Sequence, residues 1–94
     1  MPLSLKFIGA LRHISGKTQL TVNFQKEITI KELLSKLSRE LPQLEKSFCE
    51  QQPNSSSSNA LILVNGREIS VLKGLDTPLK DGDEIVFVPV VHGG

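Results

Sequence analysis

The sequence ends in Gly93-Gly94, so its terminal α-carboxyl group sits on a stretch without side chains. Such a thread is thin enough to enter another protein's narrow active site, and glycine accepts the bent backbone that a channel demands. The chemistry on offer is that of the carboxyl carbon. A free carboxylate is a poor electrophile because it is ionised at neutral pH, with a reference pKa of about 3.3–3.7, so reaction at Gly94 requires prior activation. An ordinary frayed chain end would look similar at its last two positions, and the distinction rests on what precedes the glycines. Pro89, Val90, Val91 and His92 lead into them. The expectation is that Gly94 carries the reacting atom, Gly93 keeps the thread slender, and Pro89 to His92 contact the partner.

Other residues with chemical potential lead elsewhere or nowhere. Gly16-Lys17-Thr18 echoes a phosphate-binding loop. That motif, however, needs a glycine where Leu11 stands and a helix afterwards, where the pattern predicts a strand. His13 and His92 are isolated in sequence, with no metal-ligand spacing and no acid-base pair around either. No metal is expected. The single cysteine, Cys49, can form no internal disulfide and suits a reducing compartment, the cytoplasm by default. It also excludes a four-cysteine iron-sulfur centre. Arg12 is read either as a solvated surface charge or as a contact for a partner's acidic groups.

Ninety-four residues suffice for one self-folding domain, and 38% hydrophobic with 22% charged residues is the composition of a globular protein. A formal charge of +1 gives no electrostatic reason to invoke nucleic acid or an anionic membrane. No apolar run approaches the ~20 residues that span a bilayer, and no signal peptide opens the chain. Asn54-Ser55-Ser56 matches a glycosylation sequon, which lacks significance without an export signal.

The elements that must hold out the tail follow from periodicity. Leu3, Leu5 and Phe7 alternate with Ser4 and Lys6, predicting a half-buried strand that continues to about Ala10. After a polar turn at Ser15-Gly16-Lys17, residues 18–24 alternate again with Leu20, Val22 and Phe24 on one face, and the two runs read as a hairpin. Thr29 followed by Glu32 is a capping-box pair that starts a helix. Ile30, Leu33, Leu34, Leu37 and Leu41 recur at helical spacing, and Pro42 stops the helix near Glu40. Leu44 and Phe48 are placed in a short second turn. Residues 51–59 are polar and low in complexity, and are expected to form a mobile loop.

Ala60 to Val64 is a compact apolar run, and Asn65-Gly66 predicts a tight turn into Arg67-Glu68-Ile69. Residues 71–80 read as irregular. Asp81-Gly82-Asp83 turns into a last strand, Glu84 to Val88, rich in β-branched residues. The order strand, strand, helix, strand, strand, strand implies an α+β fold, a β-grasp with a mixed sheet of four to five strands packed on one main helix. The helical connection permits the first and last strands to pair in parallel, carrying the last strand through the sheet centre. The face away from the helix is left partly open, with Ile62 and Val64, or Val86 and Val88, as a candidate apolar patch. The chain is thus expected to be one β-grasp domain, 1–94, with a flexible tail at about 90–94.

The segment Leu79-Lys80-Asp81-Gly82-Asp83-Glu84-Ile85-Val86-Phe87-Val88-Pro89, with the Gly-Gly end, resembles the C-terminal part of the MoaD/ThiS family of ubiquitin-like sulfur carriers. Phe7-Ile8-Gly9-Ala10-Leu11-Arg12 and Ser15-Gly16-Lys17 resemble the first strand and turn of the MoaD branch. The match departs where Pro89 is followed by Val90 instead of a second proline. The His92-Gly93-Gly94 ending is similar to that of the eukaryotic ubiquitin-related modifier that serves in tRNA thiolation. The resemblance implies a carrier and cosubstrate with no self-contained active site and no permanently bound cofactor. An adenylating enzyme would use ATP to convert the Gly94 carboxyl to an acyl-adenylate, and a separate sulfur donor would turn that into a thiocarboxylate. In the MoaD branch the partner receiving the sulfur is the large subunit of molybdopterin synthase. Thiolation of tRNA or thiamin, or modification of protein lysines, remains open, as does a β-grasp binding module with a fortuitous Gly-Gly end.

Overall fold

Thr29 and Glu32 cap the long helix as their spacing demands. The Thr29 hydroxyl accepts from the Glu32 backbone N–H at 3.3 Å, and the Glu32 carboxylate accepts from the Thr29 N–H at 3.0 Å. In this computed structural model, which describes residues 2–16, 18–44 and 60–89, that helix spans Ile30–Glu40. It ends at the proline-preceding Leu41, whose N–H still bonds the Leu37 carbonyl. Ile30, Leu33, Leu34 and Leu37 are buried and Leu41 packs at the core margin, each full burial contributing about 1.5–3 kcal/mol. The expected mobile loop at 51–59, the tail at 90–94, and Phe48 and Cys49 lie outside the described residues.

Among the described residues the strands and α-helices are, in chain order, β1 (Pro2–Phe7), α1 (Ala10–Ser15), β2 (Gln19–Asn23), β3 (Ile28–Thr29), α2 (Ile30–Glu40), β4 (Ala60–Val64), β5 (Arg67–Glu68), β6 (Pro78–Leu79) and β7 (Glu84–Pro89). Five of the strands form a mixed sheet in the order β2-β1-β7-β4-β5. β1 and β7 run parallel, with Leu5 opposite Ile85 and Phe7 opposite Phe87, and all other pairings are antiparallel. The last strand therefore occupies the middle of the sheet. With α2 across one face, this is the β-grasp, ubiquitin-like fold.

The core lies between α2 and the sheet face carrying Leu3, Leu5, Phe7, Val22, Ile62, Val64, Ile85 and Phe87. Asn65 and Gly66 both take positive φ, 52° and 87°, as the two-residue turn between β4 and β5 requires. The turn is also tied to the start of β7. Asn65 donates from Nδ2 to Asp83 Oδ1 at 2.9 Å and accepts at Oδ1 from the Glu84 N–H at 3.0 Å.

Three expectations are corrected. The first strand ends at Phe7 rather than near Ala10, because Gly9, at φ 63° and ψ −135°, turns the chain into α1. β1 and β2 consequently pair side by side but are joined through that helical turn, not by a tight hairpin. The segment from 71 to 80 is not wholly irregular, since Pro78 and Leu79 pair with Thr29 and Ile28 as a small second sheet. Thr77 anchors this region from a buried position: its hydroxyl donates to the Gly74 carbonyl at 2.7 Å, and its carbonyl accepts the first N–H of α2.

Candidate functional site

β7 points toward the C-terminus from the middle of the sheet, and its last residue, Pro89, is the root of the tail. Pro89 stands opposite Ala60 on β4, at a strand end where a missing N–H costs no internal ladder bond. On its other side lies Gly9. A Cβ built on Gly9 would sit 3.0 Å from Pro89 Cγ, tighter than ordinary van der Waals contact. The two segments are joined just upstream, where the Ile8 N–H bonds the Phe87 carbonyl at 3.1 Å. Beside this root is a groove of about 320 Å³ lined by Lys6, Phe7, Ile8, Gly9, Arg12 and Thr18.

The sheet face away from α2 has an apolar centre and polar flanks. Register places Leu61 opposite Val88 and Leu63 opposite Val86. These four are partly or largely exposed, Leu61 at 40%. Of the two sequence candidates for this patch, Val86 with Val88 is correct, whereas Ile62 and Val64 face the core at 1% and 6% exposure. Lys6 and Glu84 border it with an ion pair of 3.0 Å. Each of those side chains is over 40% exposed, and such a pair contributes little to stability. The contribution of Leu61 and Leu63 was not legible before the register was known. An apolar run shows which residues are inside only once its neighbours are placed.

Of the residues assigned to the tail, Pro89 is placed at the end of the central strand, and Val90, Val91, His92, Gly93 and Gly94 lie outside the described residues. Arg12 is exposed on α1 at the groove beside Pro89, and His13 is exposed on the same helix. Among the described residues, no group of His, Cys, Asp or Glu is arranged to hold a metal ion, and no helix is long and apolar enough to cross a membrane. Gly9 went unnoticed in the sequence as a site residue. Its signal was a glycine interrupting an apolar run, a common mark of close backbone approach.

The family model of the ThiS family matches residues 5–94, and the chain belongs to that family, whose members are ubiquitin-like sulfur carriers and modifiers. Small archaeal modifier protein 3 of Haloferax volcanii is 31% identical over 94 residues, covering the whole of both chains. The solution structure of small archaeal modifier protein 1 from Methanosarcina acetivorans is similar with a TM-score of 0.80 and 31% identity, over 99% of this chain and 96% of that one. A chain in the complex of subunits 1 and 2 of the molybdopterin-converting factor from Helicobacter pylori is similar with a TM-score of 0.62 and 26% identity, over 100% of each chain.

Proposed function

We propose that the protein is a sulfur carrier whose Gly94 carboxyl is adenylated by a partner enzyme and converted to a thiocarboxylate, for use in a thiolation reaction or in joining the protein to lysines. The observation that carries this reading is the placement of β7: a central, doubly paired strand ends at Pro89, five residues before Gly94 in the sequence. The five residues after Pro89, if extended, reach roughly 17 Å, enough to bring Gly94 into a buried site while the body docks outside. The open face at Leu61, Leu63, Val86 and Val88 suits that docking, since exposed apolar patches mark association surfaces. Its position on β4 and β7 puts it beside the strand that carries the tail.

The adenylating enzyme binds ATP, whose adenylyl group activates the carboxyl. The carboxylate oxygen attacks the α-phosphorus and pyrophosphate leaves; hydrosulfide released by a separate donor then attacks the acyl carbon, AMP leaves and the sulfur loses its proton to give the thiocarboxylate. Splitting one difficult substitution into two easier ones is the gain from activation. The full-length likeness to small archaeal modifier proteins favours thiolation or lysine modification as the destination.

The molybdopterin-converting factor complex supports a second reading, in which the chain is the small subunit of molybdopterin synthase and gives its sulfur to a pterin precursor in the large subunit. The test is exchange of labelled pyrophosphate into ATP by a ubiquitin-activating-like enzyme. Exchange is expected with the full chain and absent when Gly94 is deleted; exchange with the deletion variant overturns the reading. Adding the loaded protein to a molybdopterin synthase large subunit, or to a lysine-bearing protein acceptor, then separates the destinations.

A further inference from the structure

We propose that Gly9 is a positioning residue for the C-terminal tail: by having no side chain it lets Pro89 lie against the backbone at the end of β1, and this contact sets the direction in which the chain leaves the sheet. The inference rests on the carrier reading for its functional consequence, although not for its geometry.

Gly9 cannot yield to an added Cβ. Its φ of 63° with ψ of −135° is a conformation that side chains rarely adopt. Its carbonyl accepts the Arg12 N–H at 3.0 Å, closing the first turn of α1, and the preceding Ile8 N–H is bonded to Phe87 at 3.1 Å. Leu11, two residues on, is buried at 2% exposure and holds α1 to the core. Pro89, by contrast, has no N–H to bond, is half-exposed and is the final residue of its strand. Of the two partners at 3.0 Å, the proline is the one that must move. A displacement there changes the backbone direction in which the chain leaves β7.

The experiment is a double-mutant cycle of Gly9→Ala and Pro89→Ala in the full chain, read in two ways. The first reading is the NMR shifts of the Val90 and Val91 amides, which need no partner. Gly9→Ala is expected to move them, and to move them less in the Pro89→Ala background, where no ring remains to be pushed and only the backbone strain at φ 63° is left. The second is the rate of thiocarboxylate formation at saturating activating enzyme. Gly9→Ala is expected to lower it about tenfold, in line with the cost of a misplaced reacting group, and to add a smaller loss on top of Pro89→Ala than it causes alone. A purely structural glycine would give the same loss with or without the ring. Unmoved amides in Gly9→Ala, or additive effects in the double variant, overturn the proposal. A wild-type chain that never gains sulfur refutes the carrier reading alone, since the NMR cycle still decides the role of Gly9. Should Gly9→Ala unfold, the nuclear Overhauser contact between the Gly9 Hα atoms and the Pro89 ring in the unaltered chain decides: its presence is expected, and its absence overturns the proposal.

Discussion

The rings of Phe7 and Phe87 stack with centroids 5.3 Å apart and planes inclined by 13°, at the register position where β1 and β7 run parallel. Both are fully buried. This contact holds the end of β1 to Phe87, two residues before Pro89, so the root of the tail is tied to the buried core.

Phe87→Ala removes that stack and leaves a cavity under the end of β7. It is expected to destabilise the protein by about 3–5 kcal/mol, as for other large aromatic truncations in cores. Chemical denaturation measures this; an unshifted midpoint would show that the stack does not hold the strand.

Asn65→Ala deletes both side-chain hydrogen bonds to the Asp83-Glu84 backbone and carboxylate, and places alanine at φ 52°. A loss of about 1–3 kcal/mol is expected from the hydrogen bonds and the backbone strain together. Asn65→Gly should recover the strain but not the bonds, so its midpoint should fall between those of the wild type and Asn65→Ala.

Leu61→Asp places a charge on the open sheet face without touching the core. Its stability should change by less than about 1 kcal/mol. The KM for the activating enzyme is expected to rise at least about tenfold, equivalent to 1.4 kcal/mol of lost binding. Val71→Asp is the control, since Val71 is 73% exposed and lies on a turn away from that face. Equal effects of the two substitutions on KM would remove the face from the docking account.

Thr29→Ala breaks the capping box and should cost about 1 kcal/mol, with the loss visible as earlier fraying of α2 by hydrogen exchange. Glu32→Gln, which keeps an acceptor for the Thr29 N–H, should cost less.

Much of this architecture was legible because its signals are local. Thr29 and Glu32 mark a helix start by spacing alone, Pro42 marks its end, and Asn65-Gly66 admits few conformations other than the turn it forms. The parallel pairing of β1 with β7 followed from the helical connection between the halves of the chain. α1 was missed for the converse reason: six residues are too few to establish a 3.6-residue period, and its N-cap, Gly9, makes no side-chain hydrogen bond to announce it. β3 and β6 consist of two residues each, paired across about fifty positions of sequence, and no short window contains that information. The same limit hid the patch at Leu61 and Leu63. For the site, the sequence named Pro89, which is placed at the end of β7, and Val90 to Gly94, which lie outside the described residues.

The central claim is that the carbonyl carbon of Gly94 is the reacting atom. Intact mass after incubation with an adenylating enzyme, ATP and a sulfur donor, followed by sequencing of the tryptic peptide of residues 81–94, tests it directly. A gain of about 16 Da, the exchange of one oxygen for sulfur after activation of the acid, is expected on that peptide and within its last residue. An unchanged mass, or a gain of about 32 Da on the peptide containing Cys49 from simple persulfidation of the thiol, would contradict the account.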